Sequence, residues 1–329
     1  MKQYSALCCY FGQWPPHFHY WLKSCSYNID IDFILVSDIS IQDYDVPSNV
    51  HVVDMSFAEV QALIAKKFPD IAVSLDRPYK LCDFKTAYGY IFSDFFSSYD
   101  YWGYFDIDTI WGKITDFIPD NSDNHLLKIF PCGHLSFIRN VAPWSRIYEM
   151  VNQVEGTPCR NNMEGKVVAS WQTCFSSANS FYYDEEGGLE PMIEDMVSKG
   201  NLEKNDLYVK VDFDNILPPW RFNHFYSINS PEKSKFLVYR FDSGRLERIF
   251  LKGSQLHREP ISYLHFSKRH MSVPCGNNQD DFYSIVPNAF IKCVHWNIIK
   301  VLFYGRPRYF GNLFNRIVKR IFDSNGTKN

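Results

Sequence analysis

Apolar and polar residues alternate along the first hundred residues in a way that predicts repeated strand–helix units. Apolar runs over residues 4–11, 33–36 and 50–53 have the length of buried strands and end at turn-forming residues. Ser56 follows the third run and precedes apolar residues at helical spacing, so we predict a helix capped by this serine. Strands that alternate with helices predict an α/β fold with a largely parallel, doubly wound sheet.

An acidic triplet follows the next predicted strand. We predict a helix over residues 83–96 and then an apolar strand over 101–105 that continues directly into Asp106-Ile107-Asp108. The chain contains other Asp-x-Asp triplets, but only this one follows an uninterrupted apolar strand in the parallel-sheet region. Ligands of such sheets bind at the carboxyl ends of strands, where two carboxylates suit Mg²⁺ or Mn²⁺ bridging to a diphosphate. A solvated acidic turn is the alternative interpretation.

From about residue 120 the strand and helix signals weaken, loops lengthen and prolines interrupt the chain. No clean linker, internal repeat or low-complexity tract separates this part from the first. We therefore predict one domain over residues 1–303, with a Rossmann-like N-terminal half and an irregular C-terminal elaboration, followed by a tail over 304–329.

Composition excludes several classes of protein. The 329 residues have a net charge of only −3, so nothing favours nucleic acid as a partner. The 9 cysteines include no Cys-x-x-Cys pair, which argues against a disulfide framework or a zinc ribbon. The start of the chain lacks the pattern of a signal peptide, and no apolar run is long enough to span a membrane. We therefore expect a cytoplasmic protein.

Two further segments carry candidate chemistry. The apolar strand that begins at Tyr263 delivers His265 and is followed by Lys268 and Arg269, which could complete a Mn²⁺ site and neutralise phosphate. A lone histidine is more often a core or surface residue. In the second segment, Asp83 could accept hydrogen bonds from a ribose or base and Lys85 could face phosphate. Asp83 could equally be an acid in the first turn of a helix.

Together these segments resemble the bacterial polysaccharide-biosynthesis glycosyltransferases, a group with a GT-A-like fold. The resemblance covers roughly residues 4 to 270 and is carried by four motifs in order: Tyr10-Phe11-Gly12-x-Trp14-Pro15, Pro78 to Lys85 continuing through Tyr88-Gly89, Trp102-Gly103-Tyr104-x-Asp106-Ile107-Asp108, and His265-Phe266-x-Lys268-Arg269.

The resemblance implies a set of site residues. A divalent cation, Mn²⁺ or Mg²⁺, would be bound by Asp106, Asp108 and His265. A diphosphate would contact Lys268 and Arg269, and a nucleoside pocket would be lined by Tyr10, Phe11 and Asp83. The related families usually have arginine where this chain has Lys85, and a Phe-Asp-Glu-Trp segment where it has Tyr183-Asp184-Glu185-Glu186. We still expect Asp184 or Glu185 to face the acceptor, although an acidic surface turn explains them equally well.

The implied activity is transfer of a sugar from a nucleotide-diphosphate sugar to a glycan or lipid-linked glycan in bacterial surface polysaccharide synthesis. The resemblance alone implies UDP as the carrier. Lys268 would help to stabilise the departing diphosphate, and an inverting enzyme would need Asp184 or Glu185 as a base. The late histidine is similar to that of retaining groups. The alternatives are a metal-dependent phosphohydrolase and a non-catalytic carbohydrate-binding protein.

The tail combines positive charge with an amphipathic pattern. Arginines and lysines occur between residues 304 and 322 without any acid, and apolar residues from Leu313 onward recur at helical spacing. Such a helix can lie on an anionic membrane surface, which would place the enzyme peripherally on the inner face of the cell membrane. A helix that packs on its own domain is the alternative.

Overall fold

The computed structural model describes most of the chain, namely residues 3–123, 125–153, 170–180, 183, 189–203, 206–208, 213–215, 236–266, 271–274, 281–292 and 295–305. The chain divides into two compact units. The first unit comprises Met1–Thr109 and Ile114–Val211, and the second comprises Ile110–Lys113 and Asp212–Asn329. The prediction of one domain over 1–303 and a tail over 304–329 stays a prediction, and the tail lies outside the described residues from position 306 onward.

Strands and helices alternate at the start of the first unit. In chain order they are β1 (Tyr4–Cys9), α1 (Phe18–Ser26), β2 (Ile31–Ser37), β3 (Val50–Asp54), α2 (Phe57–Lys67), a 3₁₀ segment (Pro78–Ala87), α3 (Tyr88–Ile91), α4 (Ser93–Phe96) and β4 (Tyr101–Phe105). The four strands predicted from the apolar runs are confirmed. Ser56 caps α2 as predicted, because its side chain accepts from the Glu59 backbone while the Glu59 carboxylate accepts from the Ser56 backbone.

The remaining elements follow β4. They are β5 (Thr109–Trp111), a 3₁₀ segment (Ile114–Phe117), β6 (Lys128–Ile129), β7 (Leu135–Arg139), a 3₁₀ segment (Trp144–Gln153), α5 (Trp171–Ser176), α6 (Leu189–Ser198), β8 (Leu207–Tyr208), β9 (Phe213–Asn215), β10 (Leu237–Asp242), β11 (Arg245–Lys252), β12 (Gln255–Pro260), β13 (Tyr263–His265), β14 (Phe282–Val286), β15 (Ala289–Lys292) and α7 (Ile298–Tyr304).

A mixed sheet forms the centre of the first unit. Its described strands have the order β3-β2-β1-β4-β7-β6-β8. The first four are mutually parallel, whereas β7 runs antiparallel to both β4 and β6. The predicted α/β fold is therefore confirmed, and the mixed sheet is consistent with the GT-A-like fold that the resemblance implies.

Both faces of this sheet are covered, which explains why its strands are continuous apolar runs. Every residue of β2 is buried. On one face, the Trp21 ring of α1 stacks on Phe105 with 5.5 Å between ring centroids, and Phe33 meets Phe105 edge-on. On the other face, α2, α3 and α4 contribute to a large apolar cluster that includes Val60, Ile91 and many aromatic rings.

A regular helix over residues 83–96 was the wrong prediction. A 3₁₀ segment covers most of its first half, and the rest is divided between the short helices α3 and α4. Ala87 and Phe92, at the two junctions, have backbone angles outside the helical region. Lys80 and Lys85 are both buried in the 3₁₀ segment, so its backbone follows tertiary contacts rather than helix propensity.

Gly103, at the centre of β4, permits a close approach of β7. Gly103 lies opposite Phe137 in the antiparallel ladder. A side chain at Gly103 would place its Cβ 2.2 Å from the Ser136 carbonyl oxygen, well inside van der Waals contact. The glycine of the Trp102-Gly103-Tyr104 motif therefore has a packing role in joining β4 to β7.

The second unit is built mainly from antiparallel strands. The order of its described main sheet is β12-β11-β10-β14-β15, and Val301 of α7 packs into a small core with Val238 and Ile249. A second sheet has the order β5-β13-β9, in which β13 and β9 are parallel. The region whose sequence signals looked irregular thus contains regular hairpins. Within the described residues, no helix is both long and apolar enough to cross a membrane.

Candidate functional site

The strand order creates a place for a ligand at one edge of the first unit's sheet. From β1 the chain adds β2 and β3 on one side, and β4 then pairs with the other side of β1. The direction of strand addition therefore reverses at β1, which is called a topological switch point. Ligands of open α/β sheets bind outside the carboxyl ends of the strands at such a point. Tyr10 and Phe11 follow β1 and Asp106 follows β4, so the structure brings these three predicted site residues to the same edge.

The antiparallel strand β7 adds a histidine to this edge. Phe105 pairs with Leu135, so the residue after β4 lies opposite the residue before β7. Accordingly, the Asp106 backbone N–H donates to the His134 carbonyl at 3.0 Å. A carboxylate oxygen of Asp106 and a ring nitrogen of His134 lie within 4.8 Å of each other. Carboxylate and imidazole together suit Mn²⁺ and related divalent ions, so this pair could hold a metal ion.

Lys85 connects the two segments that carry this pair. Its ammonium donates to Asp106 Oδ1 at 2.8 Å and to the Gly133 carbonyl at 2.9 Å. The Lys85 side chain is only 8% exposed, whereas that of Asp106 is 29% exposed. The lysine that sequence analysis assigned to donor phosphate therefore contacts a candidate metal ligand directly.

Two titratable groups beside this edge are held neutral by burial. Burial is the main reason that the pKa of the Cys8 thiol is raised, and the charge of Asp106 raises it further. Burial also lowers the pKa of His17 to about 4, although the nearby charge of Asp108 opposes this shift. Neither the Cys8 thiol nor the His17 ring therefore contributes charge to this edge at neutral pH.

The predicted nucleoside-binding aromatics lie at the start of a stacked series. The Tyr10 ring stacks on Trp14 at 5.5 Å between centroids, and Trp14 stacks on Phe18 at 4.2 Å. Tyr10 and Phe11 are both half-buried. Gly12 has a φ of 107°, a backbone conformation that other residues rarely adopt. This glycine turns the chain away from the sheet directly after the two aromatic residues.

Asp83 is buried among contacts within the first unit. Its side chain and that of Lys80 are both 0% exposed, and Lys80 Nζ donates to Asp83 Oδ2 at 2.7 Å. Asp83 Oδ1 accepts from the Tyr183 backbone N–H at 3.1 Å. Lys80 also donates to the carbonyls of Cys174 and Asn179 at 2.8 and 2.6 Å. The described contacts of Asp83 thus tie one segment of the first unit to another.

Other predicted residues lie elsewhere in the chain. His265 is the last residue of β13 in the second unit and is buried. Asp108 is half-buried two residues after Asp106. The remaining predicted residues, Asp184, Glu185, Lys268 and Arg269, lie outside the described residues.

Sequence analysis missed His134. The expectation that ligands follow strands holds for parallel strands, whereas His134 precedes an antiparallel one. The available signal was Gly133-His134 immediately before the apolar run Leu135-Ser136-Phe137-Ile138, in a region where we judged the strand signals to be weak.

The fold and these contacts define an α/β protein with a carboxylate–histidine pair at the switch point of a mixed sheet. The chain belongs to the family of unknown function DUF6625, whose model matches residues 6–293. No curated protein matches the chain. Among solved structures, the chain is similar to the crystal structure of mouse xyloside xylosyltransferase 1 in its apo form, with a TM-score of 0.38 and 8% identity over 81% of this chain and 98% of that chain.

Proposed function

We propose that this protein is a metal-dependent glycosyltransferase that takes a sugar from a nucleotide-diphosphate sugar, with UDP as the carrier. The observation that carries the proposal is the Asp106–His134 pair at the carboxyl end of β4, on the edge where Tyr10 follows β1. A divalent ion there would stabilise the charge of a departing diphosphate. The four-motif resemblance to polysaccharide-biosynthesis glycosyltransferases supports the same activity.

The proposed metal ligands are Asp106, Asp108 and a histidine. Asp106 and His134 lie close together in the first unit. His265 is proposed as a further ligand from the resemblance, in which a late histidine completes the metal site. Mn²⁺ fits this mixed set of oxygen and nitrogen ligands better than Mg²⁺, which prefers oxygen.

The donor and acceptor contacts are assigned from the resemblance and supported by position. Tyr10 and Phe11 are proposed to contact the nucleoside, since half-buried rings can stack on a base. Lys268 and Arg269 are proposed to contact the diphosphate. Asp184 and Glu185 are proposed to face a glycan or lipid-linked glycan acceptor in bacterial surface polysaccharide synthesis.

The contacts of Asp83 suggest an indirect role in this arrangement. Asp83 holds the backbone of Tyr183, the residue immediately before Asp184. We therefore propose that Asp83 supports the acceptor side of the site in addition to, or in place of, the nucleoside contact implied by the resemblance.

A peripheral membrane location in the cytoplasm is proposed from the C-terminal part of the chain. Three of the six large apolar side chains exposed in the described residues belong to α7, namely Ile298, Ile299 and Phe303. Ile299 and Phe303 are four residues apart and project away from the side of the helix that buries Val301. Residues 282–322 carry lysines and arginines but no acid, which suits an anionic lipid surface that presents a lipid-linked acceptor.

A nucleotide-release assay tests the proposed activity. The full chain is incubated with a panel of UDP-, GDP- and CDP-sugars in Mn²⁺, with acceptor glycans and with a chelator control. Release of nucleotide from one sugar nucleotide, abolished by the chelator, is the expected result. Cleavage of phosphodiesters without any sugar transfer would identify a phosphohydrolase instead, and glycan binding without turnover would identify a carbohydrate-binding protein.

A further inference from the structure

The Lys85 ammonium is shared between both parts of the candidate metal centre. It donates to Asp106 Oδ1 and to the carbonyl of Gly133, the residue before His134. Because the Lys85 side chain is 8% exposed, its positive charge is poorly screened by water. The positive charge of Lys85 therefore lies next to the carboxylate to which a metal ion would bind.

We propose that Lys85 is a positioning residue whose charge lowers the affinity of the site for a bare divalent ion and thereby makes metal binding depend on an accompanying diphosphate. This inference rests on the proposed function, since the metal and the diphosphate are those of the donor complex. Lys85 acts through Asp106 and differs in this respect from the direct phosphate contact that sequence analysis assigned to it.

Two effects of Lys85 on metal affinity oppose each other. Its hydrogen bonds orient the Asp106 carboxylate and the Gly133 backbone, and one such bond changes a binding equilibrium by about tenfold. Its charge repels the metal ion. A neighbouring unit charge changes the proton affinity of a carboxylate by roughly one to three powers of ten, and a divalent ion carries twice the charge of a proton. Repulsion is the larger effect, so removing the charge of Lys85 should tighten the binding of bare metal.

A diphosphate changes this balance. Its negative charges offset the charge of Lys85 when the diphosphate binds beside the metal, so each ligand should raise the affinity for the other. Such coupling is reciprocal by thermodynamic necessity. The site would therefore bind the metal–diphosphate complex in preference to either component alone.

Calorimetric titration of the full chain with Mn²⁺, with and without inorganic pyrophosphate, tests this inference. Formation of the Mn²⁺–pyrophosphate complex in solution is measured separately and subtracted. In the unmodified protein, pyrophosphate should raise the affinity for Mn²⁺ at least about tenfold. Lys85→Met should bind bare Mn²⁺ at least about tenfold more tightly than the unmodified protein and should lose most of the coupling. Lys85→Arg, which keeps the charge, should preserve the coupling.

Lys66→Met, which removes an exposed lysine of α2, is the matched control and should leave both affinities unchanged. Weaker binding of bare Mn²⁺ to Lys85→Met, or no effect of pyrophosphate on the unmodified protein, would overturn the proposal. If Lys85→Met does not fold, Lys85→Gln, which removes the charge and keeps a hydrogen-bond donor, takes its place with the same expected results. The titrations require no sugar nucleotide, so a failed transfer assay would count against the glycosyltransferase without deciding the role of Lys85.

Discussion

Two lysine–aspartate pairs arise from one 3₁₀ segment, and their environments differ. Lys80 pairs with Asp83 where both side chains are 0% exposed, and both side chains also form hydrogen bonds with backbone groups of the first unit. Lys85 pairs with Asp106 where the carboxylate is 29% exposed at the end of a strand. The same two residue types thus join segments of the protein in one place and leave a carboxylate accessible to a ligand in the other. The exposure of the carboxylate distinguishes the two environments.

The largest expected effect is on stability, at the buried Lys80–Asp83 pair. Asp83→Asn would leave the Lys80 ammonium buried without its carboxylate, so the free energy of unfolding should fall by about 3–5 kcal/mol. Urea unfolding measures it. Asp195→Asn, which breaks an exposed pair with Lys199, is the control and should cost no more than about 0.5 kcal/mol. A loss below about 1 kcal/mol in Asp83→Asn would mean that the buried Lys80–Asp83 pair contributes little more to stability than a surface pair.

Acid should destabilise the fold through His17, which interacts electrostatically with Asp108. Its pKa in the folded protein, about 4, lies below its ordinary value of 6.5, mainly because the ring is buried. The unfolded chain therefore binds the proton more readily, and the free energy of unfolding should fall by about 3 kcal/mol as the pH is lowered from about 6.5 to about 4.

The measurement for His17 is urea unfolding at a series of pH values. His17→Gln should reduce the dependence on pH in this range, and His125→Gln, at an exposed position, is the matched control. A pH dependence that is identical in His17→Gln and the unmodified protein would contradict the assignment.

Asp106→Asn should affect function rather than stability. The change removes a carboxylate charge from the proposed metal site, so Mn²⁺ affinity and Mn²⁺-dependent nucleotide release should each fall by about a hundredfold, which corresponds to about 2.7 kcal/mol. Because the Asp106 carboxylate is 29% exposed and Lys85 keeps its hydrogen bond to the Gly133 carbonyl, the loss of stability should stay well below that of Asp83→Asn, as measured by urea unfolding. Asp43→Asn, from another Asp-x-Asp triplet and exposed, is the control. Full activity in Asp106→Asn would contradict the proposed role of Asp106 as a metal ligand.

The smallest effect should be at the exposed face of α7. Replacing Ile299 and Phe303 with glutamate should lower co-sedimentation with vesicles that contain anionic lipid by about fivefold, roughly 1 kcal/mol, because it removes apolar contact and adds repulsion. Ile29→Glu is the matched control, since Ile29 is 66% exposed in the first unit. Equal pelleting of all variants, or pelleting that is indifferent to salt and lipid charge, would exclude the membrane surface.

The parts of the fold that could be predicted are those with local signals. The strands up to β4 are apolar runs with clear ends, and the α2 cap requires only Ser56 and Glu59. Asp106 was found because it directly follows such a run. The contact of Lys80 with the Cys174 carbonyl and that of Lys85 with Asp106 could not be predicted, because they join groups that lie 94 and 21 residues apart in the sequence. His134 was missed because its position depends on the direction of β7.

Gly103 has a consequence for how tolerance to mutation should be interpreted in this protein. In a saturation scan, this position should reject nearly every replacement, since any Cβ would collide with the Ser136 carbonyl. Asp106, three residues later, should also reject most replacements, but through lost chemistry in a protein that still folds. Only a scan that scores abundance and activity separately would distinguish the packing role of Gly103 from the proposed metal-binding role of Asp106. Abundance should fall at position 103 and not at position 106.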